Sequence, residues 1–126
     1  MIKARYDQEL GAVIIEFSGK VDKAQAEQSY VELQSIVPKH GKGFKLLTDL
    51  SRVEKIDLDI RDTIKKTMDF LDSRGVTEIF RVIADPEQDI GFNIMSLFHY
   101  SKRVKFFTLE SRQEAEESIN VGRKIR

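Results

Sequence analysis

The feature that most constrains this chain is an alternation between short apolar runs of strand type and longer segments with a helical period. Residues 44–47 form a nearly continuous apolar run of the kind that a buried central strand shows. The next segment carries Ile64, Met68 and Leu71 on one helical stripe, and residues 76–84 return to a strand-like pattern. This alternation predicts an open α/β sheet, parallel in its later strands, with helices packed on it.

The other segments complete the order ββαβαβαβα. Gly11 separates two β-prone runs, residues 2–6 and 12–17, which predicts an antiparallel hairpin at the N-terminus. Asp22 and Gln25 have the spacing of a capping box at the start of the first helix. Helices are predicted over residues 22–37, 59–73 and 86–100, with a last strand over residues 103–109 and a short final helix opened by SRQE. We therefore expect a mixed central sheet of about five strands with about four helices packed on it.

Length and composition indicate one domain without cysteine or metal chemistry. With 126 residues and 40% hydrophobic content the chain can build one core, and we assign residues 1–120 to the domain and residues 121–126 to a short basic tail. The 21 basic and 21 acidic side chains give no net charge, so no global field recruits nucleic acid or an anionic membrane. The absence of cysteine excludes disulfides and thiolate zinc sites, and His40 and His99 are too few for an all-protein zinc site. No cofactor is expected.

The hydrophobic segments are short. None of them approaches the roughly 18 residues that a membrane span requires, and the N-terminus has no signal-peptide core. The sequence therefore predicts a soluble, cytoplasmic protein.

A carboxylate-rich segment, TDLSRVEKIDLD, follows the predicted central strand. Functional groups in open α/β sheets gather in loops at the carboxyl ends of strands, so we predict that residues 49–59 form such a loop and that Asp85 opens another. These acids could be catalysts, calcium ligands or helix caps. Arg61 stands where a calcium loop needs an oxygen ligand, and no nucleophile or histidine lies nearby in sequence. The segment therefore favours a protein that is not an enzyme.

The element order, together with LLTDLSRVEKIDLDIRDTI, resembles the STAS family, the anti-sigma-factor-antagonist-like domains. Asp49, Leu50 and Ser51 match the hydrophobic–Asp–Leu end of the family's third strand, and Ile56 and Asp57 match the residues that lead into its second helix. The ending RVKFFTLESRQEAEESI resembles the family's last strand, serine cap and final helix. The resemblance implies a SpoIIAA-like fold and a non-catalytic regulatory or protein-interaction role.

The sequence departs from the STAS family at the serine that a partner kinase phosphorylates. The resemblance places that serine at Asp59 and the following glycine at Ile60, so a serine switch at this position is absent. Asp59 is then either a helix cap or first-turn acid, worth about 0.5–2 kcal/mol, or a partial mimic of phosphoserine. The mimicry is partial because a carboxylate carries one charge and a phosphate nearly two.

Two surfaces are predicted to bind partners. The first joins the segment 49–62 to the DPEQD loop, and its residues are Asp49, Ser51, Asp57, Leu58, Asp59, Asp62 and Asp85. The second consists of Phe92, Met95 and His99, which fall opposite the sheet-packing side of the predicted third helix. These three are either half buried against a neighbouring helix or an exposed apolar stripe. We predict a homodimer or partner contact there.

A carrier function is the alternative to a regulatory one. Some divergent STAS-like relatives also resemble lipid-binding Sec14-like domains. That resemblance implies a pocket for a small apolar, lipid-like ligand between the sheet and the second and third helices.

Overall fold

The computed structural model describes residues 1–37, 43–83 and 104–125, with the backbone alone over residues 122–125. The strands are β1 (Ile2–Asp7), β2 (Ala12–Val21), β3 (Phe44–Ile56), β4 (Val76–Val82) and β5 (Lys105–Leu109). The helices are α1 (Lys23–Ile36), α2 (Arg61–Ser73) and α3 (Arg112–Ile125), and a 3-10 turn at Leu58–Ile60 precedes α2.

The five strands form one mixed sheet in the order β1-β2-β3-β4-β5. β1 and β2 are an antiparallel hairpin, and every later neighbour pair is parallel. Gly11, at φ 65°, supplies the left-handed residue in the hairpin turn. The predicted α/β class, hairpin and mixed five-stranded sheet are confirmed.

The helix count is lower than predicted in the part of the chain that the structure describes. Three α-helices are found where about four were expected, and the predicted helix over residues 86–100 lies outside the described residues. The residues outside also include His40, Asp85, Phe92, Met95 and His99.

Helices cover both faces of the sheet. One core lies under α1 and α2 and includes Leu33 of α1 and Leu71 of α2. The second core lies under α3 and joins Ala115 and Ile119 to side chains of β2, β3 and β4. Because side chains alternate along a strand, β3 contributes Leu46 to the first core and Leu47 to the second.

The prediction of a loop over residues 49–59 is wrong, because β3 continues to Ile56. Its first half lies between β2 and β4, whereas its second half pairs with Ser18–Val21 of β2 and extends beyond Val82, where β4 ends. We call this two-stranded extension the β2–β3 arm. Residues 51–56 alternate between half-buried and exposed positions, so the strand there has a polar sequence that is typical of a loop.

The three helices start in different ways. The predicted capping box of α1 is present, with the Asp22 side chain accepting from the Gln25 backbone and the Gln25 side chain accepting from the Asp22 backbone. Neither the 3-10 turn nor α2 has a side-chain cap, and Asp59 lies inside the 3-10 turn. The capping role considered for Asp59 is therefore wrong, and only its position in a first turn remains.

α3 also differs from its predicted extent. The Ser111 hydroxyl accepts from the Glu114 backbone at 3.2 Å, as expected for an N-cap. The helix then runs to Ile125, into the residues that were assigned to the basic tail. A single glycine at position 122 disfavours a helix by only about 1 kcal/mol, and no proline follows to end it.

Candidate functional site

A row of charged side chains crosses the first three strands on the face that α3 covers. Lys3 of β1 is the register partner of Glu16 of β2, and Glu16 is the partner of Asp49 of β3. Ile14 and Leu47, each two residues before an acid of this row, belong to the core under α3. Alternation along the strands therefore points both acids toward α3.

Arg112, the first residue of α3, joins the two acids of this row. Its Nη1 lies 3.0 Å from Glu16 Oε2 and 3.2 Å from Asp49 Oδ2. Its Nε is buried without a hydrogen-bond partner, and the Glu116 carboxylate lies 3.7 Å away. Burial opposes the charge of Arg112, but the hydrogen bonds to Glu16 and Asp49 outweigh it and raise its pKa above the usual value.

Asp49 is bonded through both carboxylate oxygens. Oδ2 faces Arg112, while Oδ1 accepts from the Ser51 hydroxyl at 2.6 Å and from the Ser51 backbone at 3.0 Å. A register shift between Glu16 and Ser18 gives β3 one extra residue here, so Arg52 is the partner of Ser18. Bulges of this kind re-aim side chains, and Ser51 and Arg52 both face the same pocket as Asp49.

We call this cavity the arginine pocket. It offers about 260 Å³. The polar side chains that carry its chemistry are Lys3, Glu16, Asp49, Ser51, Arg52 and Arg112.

The sequence predicted two of these six side chains. Asp49 and Ser51 were identified as candidates, and the structure brings them together. Lys3, Glu16, Arg52 and Arg112 were missed. Glu16 did leave a signal, because it is a lone charge in the apolar strand AVIIEF, whereas Arg112 was hidden inside a capping-box pattern.

The remaining described candidates lie elsewhere, at the start of α2. Asp57, Leu58, Asp59 and Asp62 are all exposed, and Leu58 keeps 67% of its surface open to solvent. We call these four residues the α2-start surface. Eight residues of nearly extended chain separate Asp57 from Asp49, a distance of about 25 Å. The predicted surface over residues 49–62 is therefore divided into two separate places.

The cavity between the sheet and helices α1 and α2 is small. It is lined mainly by apolar side chains such as Ile15, Phe17 and Met68, and it offers about 20 Å³, room for about one water molecule. Within residues 1–37, 43–83 and 104–125, no group of three or more His, Asp or Glu side chains is placed to hold a metal ion. None of the described helices is both long enough and apolar enough to cross a membrane.

Known structures define the fold class of the chain. No protein-family model and no curated protein sequence matches it. A protein of the DUF3478 family with a SpoIIAA-like fold, from Shewanella loihica PV-4, matches at a TM-score of 0.67 and 12% identity over 94% of this chain and 92% of that one. The anti-sigma factor antagonist SpoIIAA in its unphosphorylated form matches at a TM-score of 0.60 and 13% identity over 98% of both chains.

A third structure, an anti-sigma factor antagonist from Mycobacterium paratuberculosis, matches at a TM-score of 0.56 and 18% identity over 95% of both chains. These matches extend over nearly the whole chain. The protein therefore has a STAS-like fold. This confirms the fold that the sequence predicted from its resemblance to SpoIIAA-like domains.

Proposed function

We propose that this protein is a non-catalytic regulatory module that binds a partner protein through the α2-start surface. The proposal is supported at the level of the fold, since two similar structures are of anti-sigma factor antagonists. The observation that carries it is the exposure of Leu58 among three exposed acids. A large apolar side chain at the centre of a charged patch is typical of an interaction site.

The chemistry of the α2-start surface indicates the kind of partner. Burying an exposed leucine side chain against a partner contributes about 1.5–3 kcal/mol. Asp57, Asp59 and Asp62 outnumber the exposed Arg61 in this stretch of chain, and the resulting net negative charge favours a partner with an apolar socket rimmed by Lys or Arg. Enzymatic use of these acids has no support here, because all three side chains are exposed to solvent.

Asp59 places a carboxylate where the resemblance to the STAS family places a phosphorylatable serine. Its carboxylate makes no hydrogen bond or ion pair with the described residues, and it does not cap a helix. It is therefore available to a partner. We infer that the surface is held in one charge state rather than switched, with a weaker charge than phosphate would supply.

Several predicted features stay proposals beside this one. Asp85 and the self-association surface of Phe92, Met95 and His99 lie outside the described residues, and Asp49 and Ser51 belong to the arginine pocket instead. Cytoplasmic location also stays a prediction. The carrier alternative gains no support from the 20 Å³ cavity beside α1 and α2, which is too small for a lipid chain.

The test is recovery of a tagged protein from its own host, with co-purified proteins quantified by mass spectrometry. We expect one protein partner to be recovered with the wild type and reduced about tenfold by Leu58→Ser and by Asp59→Ala. The matched control is Val31→Ser, because Val31 is an aliphatic residue of α1 with 64% exposure.

The outcomes separate the two parts of the proposal. Unchanged recovery with both Asp59→Ala and Asp59→Ser would show that the fixed charge has no role. Unchanged recovery with Leu58→Ser as well would contradict the α2-start surface itself. Turnover that Asp57→Asn abolishes would contradict the non-catalytic assignment.

A further inference from the structure

We propose that the arginine pocket binds the phosphate group of a small molecule. This site is separate from the α2-start surface and does not depend on the proposed regulatory function. The argument rests on the two rim cations Lys3 and Arg52, on the unused donors of Arg112 and on the bulge in β3.

Arg112 balances only one of the two acids of the pocket. Its guanidinium bridges Glu16 and Asp49, and the second oxygen of Asp49 is held by Ser51. Lys3 and Arg52 also line the pocket, and neither makes an ion pair with any described residue. The three cations and two acids of the lining therefore leave a net positive charge, and the two rim cations can contact the oxygens of a phosphate monoester.

Arg112 also keeps donors to spare. Its guanidinium has five N–H groups, and the hydrogen bonds that it makes to described residues use Nη1 alone. Its side chain is 24% exposed and lines the pocket. Arginine presents these N–H groups in a planar fork that suits phosphate oxygens.

The bulge in β3 gives the pocket its cationic rim. In a regular strand Ser51 and Arg52 would point to opposite faces, but the extra residue between the Glu16 and Ser18 pairings brings both to the pocket. Lys3 stands on the other side of the row, on β1. The rim cations thus come from two separate strands, with Arg112 of α3 beside them.

The groove between α1 and α2 serves as a comparison. Lys65 and Lys66 line it, but Asp62 and Asp69 line it too, and the Lys66 ammonium lies 4.5 Å from the centre of the Tyr30 ring. Its charges are balanced, and one of its cations is already engaged. The same physical argument therefore predicts no phosphate binding there.

The experiment is a titration of the ¹⁵N-labelled protein with inorganic phosphate at pH 7, followed by NMR, with ionic strength held constant by chloride. We expect saturable shifts at the amides of Ser18, Ser51 and Arg52. Lys3→Gln and Arg52→Gln should each raise the dissociation constant about tenfold, since each removes a charge-assisted contact. Lys65→Gln, which makes the same charge change on α2, should leave it unchanged.

Two outcomes would overturn the proposal. Shifts that grow linearly with phosphate, without saturation, would mean that no site exists. Equal weakening by Lys65→Gln would mean that phosphate responds to overall charge rather than to this pocket. Both exposed cations can be replaced without disturbing a core, and the dispersion of each variant's spectrum checks that it is folded.

Discussion

At the scale of single residues, Arg112 is the side chain that ties the C-terminal helix to the sheet. Its partners Glu16 and Asp49 are 96 and 63 residues away in sequence. The Asp49 side chain is only 12% exposed, so its charge would be poorly solvated without a cation beside it. Removing one partner of such a pair destabilises more than the intact pair stabilises, because the other charge stays behind.

Replacing Arg112 should therefore lower stability measurably. We expect Arg112→Met to reduce the free energy of unfolding in urea by about 1–3 kcal/mol, which allows for the partial exposure of the network. Arg5→Met is the matched control. It breaks the Arg5–Asp7 pair, whose Arg5 side chain is half exposed, and should change stability by less than about 1 kcal/mol. Equal losses of stability in the two variants would show that the ion pairs of Arg112 stabilise the fold no more than the exposed Arg5–Asp7 pair does.

Asp7 should make stability depend on acid pH. The Leu10 backbone N–H and the Arg5 side chain donate to its carboxylate and lower the pKa of Asp7 below the ordinary value of 3.8. A lowered pKa in the folded state stabilises the protein above the unfolded pKa, and this contribution is lost as pH falls through the folded pKa. We expect urea unfolding to show a difference between wild type and Asp7→Asn that is constant near pH 7 and shrinks below about pH 4. A difference that does not change with pH would contradict the shift.

The candidate sites show what a sequence reveals about single residues. Asp49 and Ser51 could be found because a short polar pair after an apolar strand is a local pattern. Arg112 could not, because its role depends on which strands lie beneath α3. The capping role considered for Asp59 is wrong for a related reason. A 3-10 turn over Leu58–Ile60 precedes α2, so the helix begins at Arg61 and not at residue 59.

At the scale of elements, the starts of β3 and β4 lie in close contact. Thr77 Oγ1 donates to the Phe44 carbonyl at 3.2 Å, and the Phe44 N–H donates to the Gly75 carbonyl at 3.3 Å. Gly43 stands at the entry of β3 with φ 85°, and a Cβ there would lie 2.7 Å from Thr77 Cγ2. A side chain at this position meets both backbone strain and a clash.

Gly43→Ala should consequently destabilise the protein by about 3 kcal/mol, from left-handed strain and overpacking together. Gly19→Ala separates the two effects, since Gly19 has φ 62° but open space around it, and should destabilise by about 1–2 kcal/mol. Thr77→Ser removes the clashing methyl and keeps the hydroxyl. In chemical denaturation, the double variant with Gly43→Ala should therefore recover about 1 kcal/mol. If the double variant loses as much stability as the sum of the two single variants, the clash between a Cβ at position 43 and Thr77 Cγ2 is ruled out.

Elements differed in how well their sequence predicted them. α1 was predicted closely because its capping box is a local signal. The length of β3 was not predicted. Residues 51–56 form part of the β2–β3 arm, where β3 pairs with β2 alone and its charged side chains are exposed. Polar residues in such an arm cannot be told from a loop without knowing that β2 runs alongside.

At the scale of the whole molecule, the described residues form two cores, one on each face of a single sheet. The core under α3 depends on Ala115 and Ile119, both of which are fully buried. Val121, two residues further along α3, is 54% exposed. α3 is therefore packed on the sheet at least through Ile119.

Truncating the buried side of α3 should affect the whole fold. We expect Ile119→Ala to lower the free energy of unfolding by about 2–5 kcal/mol, as large-to-small changes in cores do. Val121→Ala should change it by less than about 0.5 kcal/mol. Thermal or urea unfolding followed by circular dichroism measures both. Similar small effects from the two substitutions would mean that α3 is not firmly packed on the sheet.

The order of strands in the sheet has a consequence for how the protein is made. Strand order equals chain order, so each strand that leaves the ribosome finds its neighbour already present at the growing edge. Among the described elements α3 is the exception, because it follows all five strands and yet covers Leu10, Ala12 and Ile14 of the first hairpin. Of the described elements, α3 is therefore the one that this apolar patch lacks until all five strands have been made. We expect the nascent chain to be prone to aggregation, and to need a chaperone, before α3 emerges.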